Sequence, residues 1–410
     1  MTKLMTGTGT GTTAFTHANI VLPDEILEDA NLIVRDGKIE AFGPCASTPV
    51  PDDATVLDAD HGMYLMPGII DTHNDGLENE INPRPRAALP PAFALHNYER
   101  RALAAGVTTS YHAITFATMA RSERTIDEAA QRTAVIRAGR AAAEMDHQVL
   151  HRLDVWTPAG IPPLFESMRA CDIQAVSLND HTPGQGQYRD IEGFKKTLEA
   201  YRANDPSFDA AAEIERRIRE RVNDTETLPA VYNMVTSEYA KQPFVLASHD
   251  DDTPEKVDVM KSLGATVAEF PITNEAAARA RELGMWITVG APNIVRGGST
   301  SGNSDAAELV SLGLADIICA DYHSPSLMLS VFRLVEMGLC TLPQAVKMVT
   351  ANPAAAFGMA DRGRVEVGLS ADLALVEVVD GRPVVQAVTY RGRPVYANAN
   401  SLPRERVLTA

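Results

Sequence analysis

Residues 64–75 read Tyr64-Leu65-Met66-Pro67-Gly68-Ile69-Ile70-Asp71-Thr72-His73-Asn74-Asp75. An apolar run ends abruptly in two metal-capable side chains, His73 and Asp75, two positions apart. Side chains two apart on a β-strand share a face. The run, taken as a strand over 65–71, therefore reads as the first strand of a barrel that delivers ligands to its mouth.

Seven more apolar runs follow, at 107–114, 149–156, 175–178, 244–247, 266–270, 286–289 and 317–320. Helical patterns lie between them at 122–145, 253–263, 274–283 and 305–312. About eight strands alternating with helices predict an α/β fold, a (β/α)8 TIM-like barrel. The flanks differ. Short strands and turns at 14–57 and 362–396, with Asp36-Gly37 and Asp380-Gly381 as hairpin signals, predict a second, small β-sandwich-like domain built from both chain ends. The expected division is a flexible tail at 1–13, a composite β domain from 14–64 and 358–410, and a barrel over 65–357. A charged helical insertion at 188–242 is either a solvated hairpin or a lid over the mouth.

The chain has 410 residues, 45% hydrophobic and 22% charged, the composition of a soluble protein with more than one small core. A net charge of −17 argues against non-specific binding to nucleic acid or anionic membranes. No stretch reaches the roughly 20 apolar residues of a membrane span. The Thr- and Gly-rich start lacks the apolar core of a signal peptide. Cys45, Cys171, Cys319 and Cys340 are scattered without a CxxC pair, which fits free thiols in the cytoplasm. The sequence leaves a homo-oligomer open.

Barrel enzymes carry their chemistry at the carboxyl ends of the strands. There the chain places His73 and Asp75, His112, Asp180-His181, His249, Glu269, and Asp321 with His323 nearby. Imidazole and carboxylate suit borderline divalent ions such as Zn²⁺ or Mn²⁺. Such an ion lowers the pKa of bound water from about 15.7 to about 7. Asp321, closing the apolar run Ile317-Ile318-Cys319-Ala320, is the candidate carboxylate to hold that water and take its proton. After the seventh strand, Arg296-Gly297-Gly298-Ser299 reads as an anion-binding loop or a flexible connection. Prolines hold Arg84 and Arg86 extended in Asn82-Pro83-Arg84-Pro85-Arg86, either on a plain surface loop or against a polyanion.

Strand-ending His ligands, a terminal Asp and a split β domain resemble the amidohydrolase superfamily over nearly the whole chain. A narrower set of motifs is His73-Asn74-Asp75, Pro83-Arg84-Pro85-Arg86, Asp180-His181-Thr182-Pro183-Gly184-Gln185, Ser248-His249-Asp250-Asp251, Glu269-Phe270-Pro271 and Asn293-Ile294-Val295-Arg296-Gly297-Gly298-Ser299. It is similar to the alpha-D-ribose 1-methylphosphonate 5-triphosphate diphosphatases of the carbon–phosphorus lyase pathway.

The resemblance implies hydrolysis of that phosphorylated small molecule to the 5-phosphate and pyrophosphate. It implies one or two divalent ions, with zinc the first expectation. The metal set would be drawn from His73, Asp75, Asp180, His181, His249, Glu269 and Asp321, with Asp321, His249 and His181 in catalysis. Arg84, Arg86, Arg296, Gly297, Gly298 and Ser299 would hold the polyphosphate. Three departures from the broad superfamily leave metal number and bridging group open. Asp75 replaces a second His, no Lys ends the fourth strand, and Glu269 stands where many members place His. Two other readings stay open: an amidohydrolase acting on a cyclic amide or deaminating or deacylating a small molecule, and a non-catalytic assembly protein on the same fold.

Overall fold

The computed structural model describes residues 11–60, 62–84, 87–118, 125–202, 208–299 and 303–398. The N-terminal strands are β1 (Thr12–Val21), β2 (Ile26–Arg35), β3 (Lys38–Pro44), β4 (Thr55–Asp58) and β5 (Tyr64–Pro67). Eight more follow: β6 (Ile69–Asn74), β7 (Val107–Thr115), β8 (Asp146–Asp154), β9 (Ala175–Asn179), β10 (Val245–His249), β11 (Val267–Glu269), β12 (Trp286–Gly290) and β13 (Ile317–Cys319). The last three are β14 (Leu373–Val379), β15 (Arg382–Tyr390) and β16 (Arg393–Ala397). Strands β6 to β13 hydrogen-bond in chain order into a nearly closed eight-stranded barrel sheet. Strands from the two chain ends form a mixed sheet in the order β16-β15-β14-β5-β1-β2-β3, with β4 on β1.

The run read as one strand over 65–71 is two strands in two sheets. Pro67 ends β5, which pairs antiparallel with β14, and β6 begins at Ile69 in the barrel sheet. Gly68 makes the transfer. Its N–H donates to Asp372 O at 2.7 Å, and any Cβ there would collide with the Thr108 side chain. The tail read over 1–13 is shorter at its inner end. Thr12 and Thr13 belong to β1, paired with Arg35 and Val34, and residues 1–10 lie outside the described residues.

Both hairpin signals form two-residue turns with left-handed backbone at each position. Asp36 and Gly37 have φ 50° and 81°, and Asp380 and Gly381 have φ 49° and 75°. Mirror-image turns of this kind match strand twist, and Gly adopts them without a Cβ penalty. The core of the mixed sheet takes Phe15, Ile20, Leu32, Val34, Ile39 and Leu65 from the first half of the chain. From the second half it takes Leu373, Leu375 and Ala387.

By contacts the chain divides into two compact units. One holds residues to Ser110, Arg140–Asp146 and Ala320 onward; the other holds Tyr111–Gly139 and His147–Cys319. Within the first, buried Arg362 donates from Nη1 to Asp146 Oδ2 at 2.9 Å and to Thr109 Oγ1 at 3.0 Å. Asp372 Oδ2 lies 3.9 Å from the same nitrogen. Removing a guanidinium buried among carboxylates leaves charges that water cannot reach. Arg362→Met is expected to cost about 3–5 kcal/mol, read as a lower midpoint in urea unfolding. A midpoint equal to wild type would show that the ion pairs add nothing to stability.

Candidate active site

Strand register sets one row of residues across the barrel wall. Asp154 lies beside Asn179, Asn179 beside His249, His249 beside Glu269, and Glu269 beside Thr288. Laterally paired residues of parallel strands share a face, and all five are buried. Two positions earlier on the same face come Arg152 and Ser177. Ser177 Oγ donates to Glu269 Oε2 at 2.6 Å. Arg152 approaches Asn179 Oδ1 through Nε and His249 Nε2 through Nη2, each at 3.4 Å. Asp250 Oδ2 lies 2.9 Å from His249 Nδ1. Burial alone would raise the Asp250 carboxyl, but His249, His181 and Arg152 outweigh it and hold it below the usual carboxylate range.

His73 of β6 joins two members of the row. His73, His249 and Glu269 each offer one ligand atom, and these atoms lie within 4.8 Å of one another. Two imidazole nitrogens and one carboxylate oxygen suit a borderline divalent ion. Asn179 Nδ2 and Thr288 Oγ1, in the same row, are buried with no hydrogen-bond partner in the protein. Buried polar atoms left this way mark a site built for groups the chain does not itself supply. The residues present fit the metal that the sequence calls for.

The structure places the four other expected ligands as follows. Asp75 lies beyond the end of β6, in helical backbone (φ −90°, ψ 0°) before the helix Gly76–Ile81. The two-residue alternation that pairs it with His73 therefore stops short of it. Asp321 is left-handed at φ 56°. Its backbone is woven into β6, since Asp321 N–H donates to His73 O at 3.0 Å and Asp75 N–H to Asp321 O at 2.6 Å. His181 turns Nδ1 to Asp154 Oδ2 at 2.8 Å, a carboxylate–imidazole pair that fixes the ring. Asp180 Oδ1 accepts from Trp156 Nε1 at 3.0 Å and from the Thr182 N–H and hydroxyl at 3.1 and 2.6 Å. That side chain organises the loop after β9.

The insertion reaches this same loop. Its helices are Ile191–Tyr201, Ala210–Asn223 and Thr227–Lys241. The Arg221 guanidinium stacks 4.5 Å over Trp156, and Tyr188 lies 5.7 Å from the His181 ring, centroid to centroid. Lys256 Nζ is buried 3.9 Å from Asp180 Oδ2. Burial pushes nearby Asp251 up to about 6, with Lys256 and the Ser248 hydroxyl pulling the other way.

His112 lies inside β7, not at its end, with Nε2 2.9 Å from His147 Nδ1. Burial and that second imidazole hold it well below the usual histidine range. His323 is exposed, its Nδ1 2.7 Å from Ser326 Oγ. In the glycine loop, the Gly297 and Gly298 N–H groups both donate to Asn293 O, at 3.0 and 3.1 Å. They cap the short helix Ala291–Arg296, Arg296 is exposed with Nη2 donating to Gly298 O at 2.6 Å, and Ser299 Oγ accepts from the Asn303 N–H at 3.2 Å. Arg84 is exposed, and Arg86 lies outside the described residues.

Several residues around the site had weak sequence signals. Asp71 is fully buried inside an apolar run, where an acid is easily passed over. Asp154 ends β8 as Glu269 ends β11, a signal the sequence carries. Ser177, Arg152 and Lys256 become visible only through register and packing.

The barrel and the His-His-Glu cluster define the class. The family model described as the amidohydrolase family matches residues 212–398. The Escherichia coli (strain K12) alpha-D-ribose 1-methylphosphonate 5-triphosphate diphosphatase is 33% identical over 394 residues, covering 93% of this chain and 99% of that protein. Among solved structures, the N-acetylglucosamine-6-phosphate deacetylase of Pasteurella multocida aligns with TM-score 0.61 at 14% identity, over 94% of this chain and 100% of its own. A beta-aspartyl dipeptidase from Fervidobacterium islandicum gives TM-score 0.61 at 14% identity, over 94% and 97%. The chain is a hydrolase that belongs to the amidohydrolase family, on the branch of the alpha-D-ribose 1-methylphosphonate 5-triphosphate diphosphatases. No helix among the described residues is long and apolar enough to cross a membrane.

His249→Ala and Glu269→Gln each remove one of three donors. Bound metal after dialysis is expected to fall by about one equivalent in each variant, with far-UV circular dichroism unchanged. Full metal retention in both would place the ion elsewhere.

Proposed function

We propose that the chain hydrolyses alpha-D-ribose 1-methylphosphonate 5-triphosphate to the 5-phosphate and pyrophosphate, in the cytoplasm and with zinc as the ion. The carrying observation is the end-to-end match to the Escherichia coli diphosphatase, 33% identical over 93% of this chain. His73, His249 and Glu269 are the residues that would hold the ion. An ion there supplies Lewis acidity and an activated water.

The chain's own residues do the rest. Ser177 fixes one oxygen of Glu269 and so its rotamer. Arg152 sets positive charge beside His249 in the buried layer below the mouth. Asp154 orients His181, which is assigned to hold or pass a proton at the ring nitrogen away from that carboxylate. Asp321 is the proposed proton acceptor for the attacking water. Its left-handed backbone is pinned on both sides, by hydrogen bonds to His73 of β6 and to Asp75 just past it. Arg84, Arg86, Arg296 and Ser299 are assigned to the polyphosphate. Charge that builds on the leaving pyrophosphate needs cations placed beforehand.

The test is pyrophosphate release by the zinc- or manganese-loaded protein from the ribosyl methylphosphonate triphosphate, with ATP as the broader substrate. Arg296→Ala and Arg84→Ala are each expected to lower kcat/KM by about 10- to 100-fold, the scale of one charge-assisted phosphate contact. No release with any divalent ion, or unchanged kcat/KM in both variants, would leave a different hydrolysis on the same scaffold.

A further inference from the structure

A second convergence of metal-capable side chains lies in the mixed sheet. His17, Asp29 and Cys45 each offer one ligand atom, and the three atoms lie within 4.8 Å of one another. Asp29 Oδ1 is 2.8 Å from His17 Nδ1, Cys45 Sγ is 3.6 Å from that nitrogen, and Sγ is 3.5 Å from Oδ1. Ligands about 2.0–2.3 Å from a tetrahedral zinc stand roughly 3.3–3.6 Å from one another. Two of the three edges already have that length, and the third needs only the His17–Asp29 hydrogen bond to open.

The backbone is bent to bring them together. Pairing of β1 with β2 slips between Phe15 and Ala18 and again between Ala18 and Ile20. His17 and Asp29 sit in these two irregularities, each with left-handed backbone, φ 53° and 45°. Bulges re-aim side chains, and strained non-glycine positions gather at functional sites. Cys45 follows β3 and is tied in by its N–H, which donates to Asp29 O at 3.1 Å. A fourth group borders the cluster. Asn31 is buried, and its Nδ2 donates to Thr48 O at 2.8 Å. That bond turns Oδ1 toward the sulfur, 3.1 Å away.

Two chemistries use Cys, His and Asp together. In a nucleophilic relay the carboxylate and the thiol face opposite nitrogens of the imidazole. Here both face the same nitrogen, Nδ1. That convergence suits chelation. We propose that His17, Asp29 and Cys45, with the Asn31 amide oxygen or a water as fourth ligand, bind a thiophilic divalent cation, zinc foremost. The ion pins β1, β2 and the end of β3 where the bulges interrupt the ladder. On binding, the Cys45 thiol gives its proton to solvent and its sulfur bonds the ion, so uptake strengthens as pH rises.

The test uses the full chain, stripped with a chelator and titrated with Co²⁺. The candidate active-site cluster contains no sulfur, so a thiolate-to-cobalt charge-transfer band reports this second site alone. The expected result is a band saturating at one ion per chain, bleached by zinc, and lost in both Cys45→Ser and His17→Asn. Asn tolerates left-handed backbone, so the second variant keeps the test valid if the first folds poorly. Chelator should lower the melting temperature of wild type by several degrees more than that of Cys45→Ser. No band in wild type, or a band that survives in Cys45→Ser, would overturn the site.

Discussion

The mouth depends on the Asp71 carboxylate. It is fully buried and gathers three donors: the Ala320 N–H at 2.9 Å, the Asn74 side-chain amide at 2.5 Å and the His73 N–H at 3.4 Å. The first comes from the chain just past β13, the others from β6 itself. One acid, two residues before His73, therefore ties β6 to the segment that begins at Ala320. Burial pushes its carboxyl up to about 7, and the three hydrogen bonds pull the other way. Asn74 spends its second side-chain hydrogen on Ser324 Oγ at 2.9 Å, extending the clamp into the next segment. His73 sits between Asp71 and Asn74 and inherits their rigidity. A metal ligand needs that, because a loose imidazole loses the geometry an ion selects.

Register does for the other ligands what Asp71 does for His73. His249 and Glu269 come from different strands, yet the parallel ladder sets them side by side. Sequence positions 20 apart thus become neighbours through backbone hydrogen bonds alone. The residues two positions earlier then supply the supporting contacts, because alternation brings them to the same face. Ser177 under Glu269 and Arg152 near His249 follow from that geometry.

This explains which parts of the chain were legible beforehand. Apolar runs bounded by polar residues mark barrel strands well, and the second run, read at 107–114, lies within β7 at Val107–Thr115. His73, His249 and Glu269 stood out because each ends or adjoins such a run. Asp75 stands one residue beyond the strand, where the backbone is helical, so alternation alone does not set its side chain beside that of His73. Gly68 misled differently. Nothing in Pro67-Gly68 announces a change of sheet until Thr108 is seen to fill the space of a side chain. The glycine pair 297–298 reads as a source of N–H groups for an anion, but a carbonyl one helical turn earlier takes both. Cys45 reads in sequence as one of four scattered thiols, because its partners come from β1 and β2 and meet it only through bulges.

The two donor sets divide by chemistry as well as place. His73, His249 and Glu269 are buried and free of sulfur, and three protein donors would leave a tetrahedral ion one position to share with water or substrate. An open position admits water or substrate, which a hydrolytic centre requires. His17, Asp29 and Cys45 are partly exposed and include a cysteine sulfur, with the Asn31 amide oxygen beside it. Sulfur and a filled shell favour a structural ion that stays put. Of the barrel-mouth acids, Asp154 is occupied by His181 and Asp180 by Trp156 and Thr182. Glu269 is the carboxylate gathered with the two imidazoles, and Asp250 adds a second negative charge at His249 Nδ1.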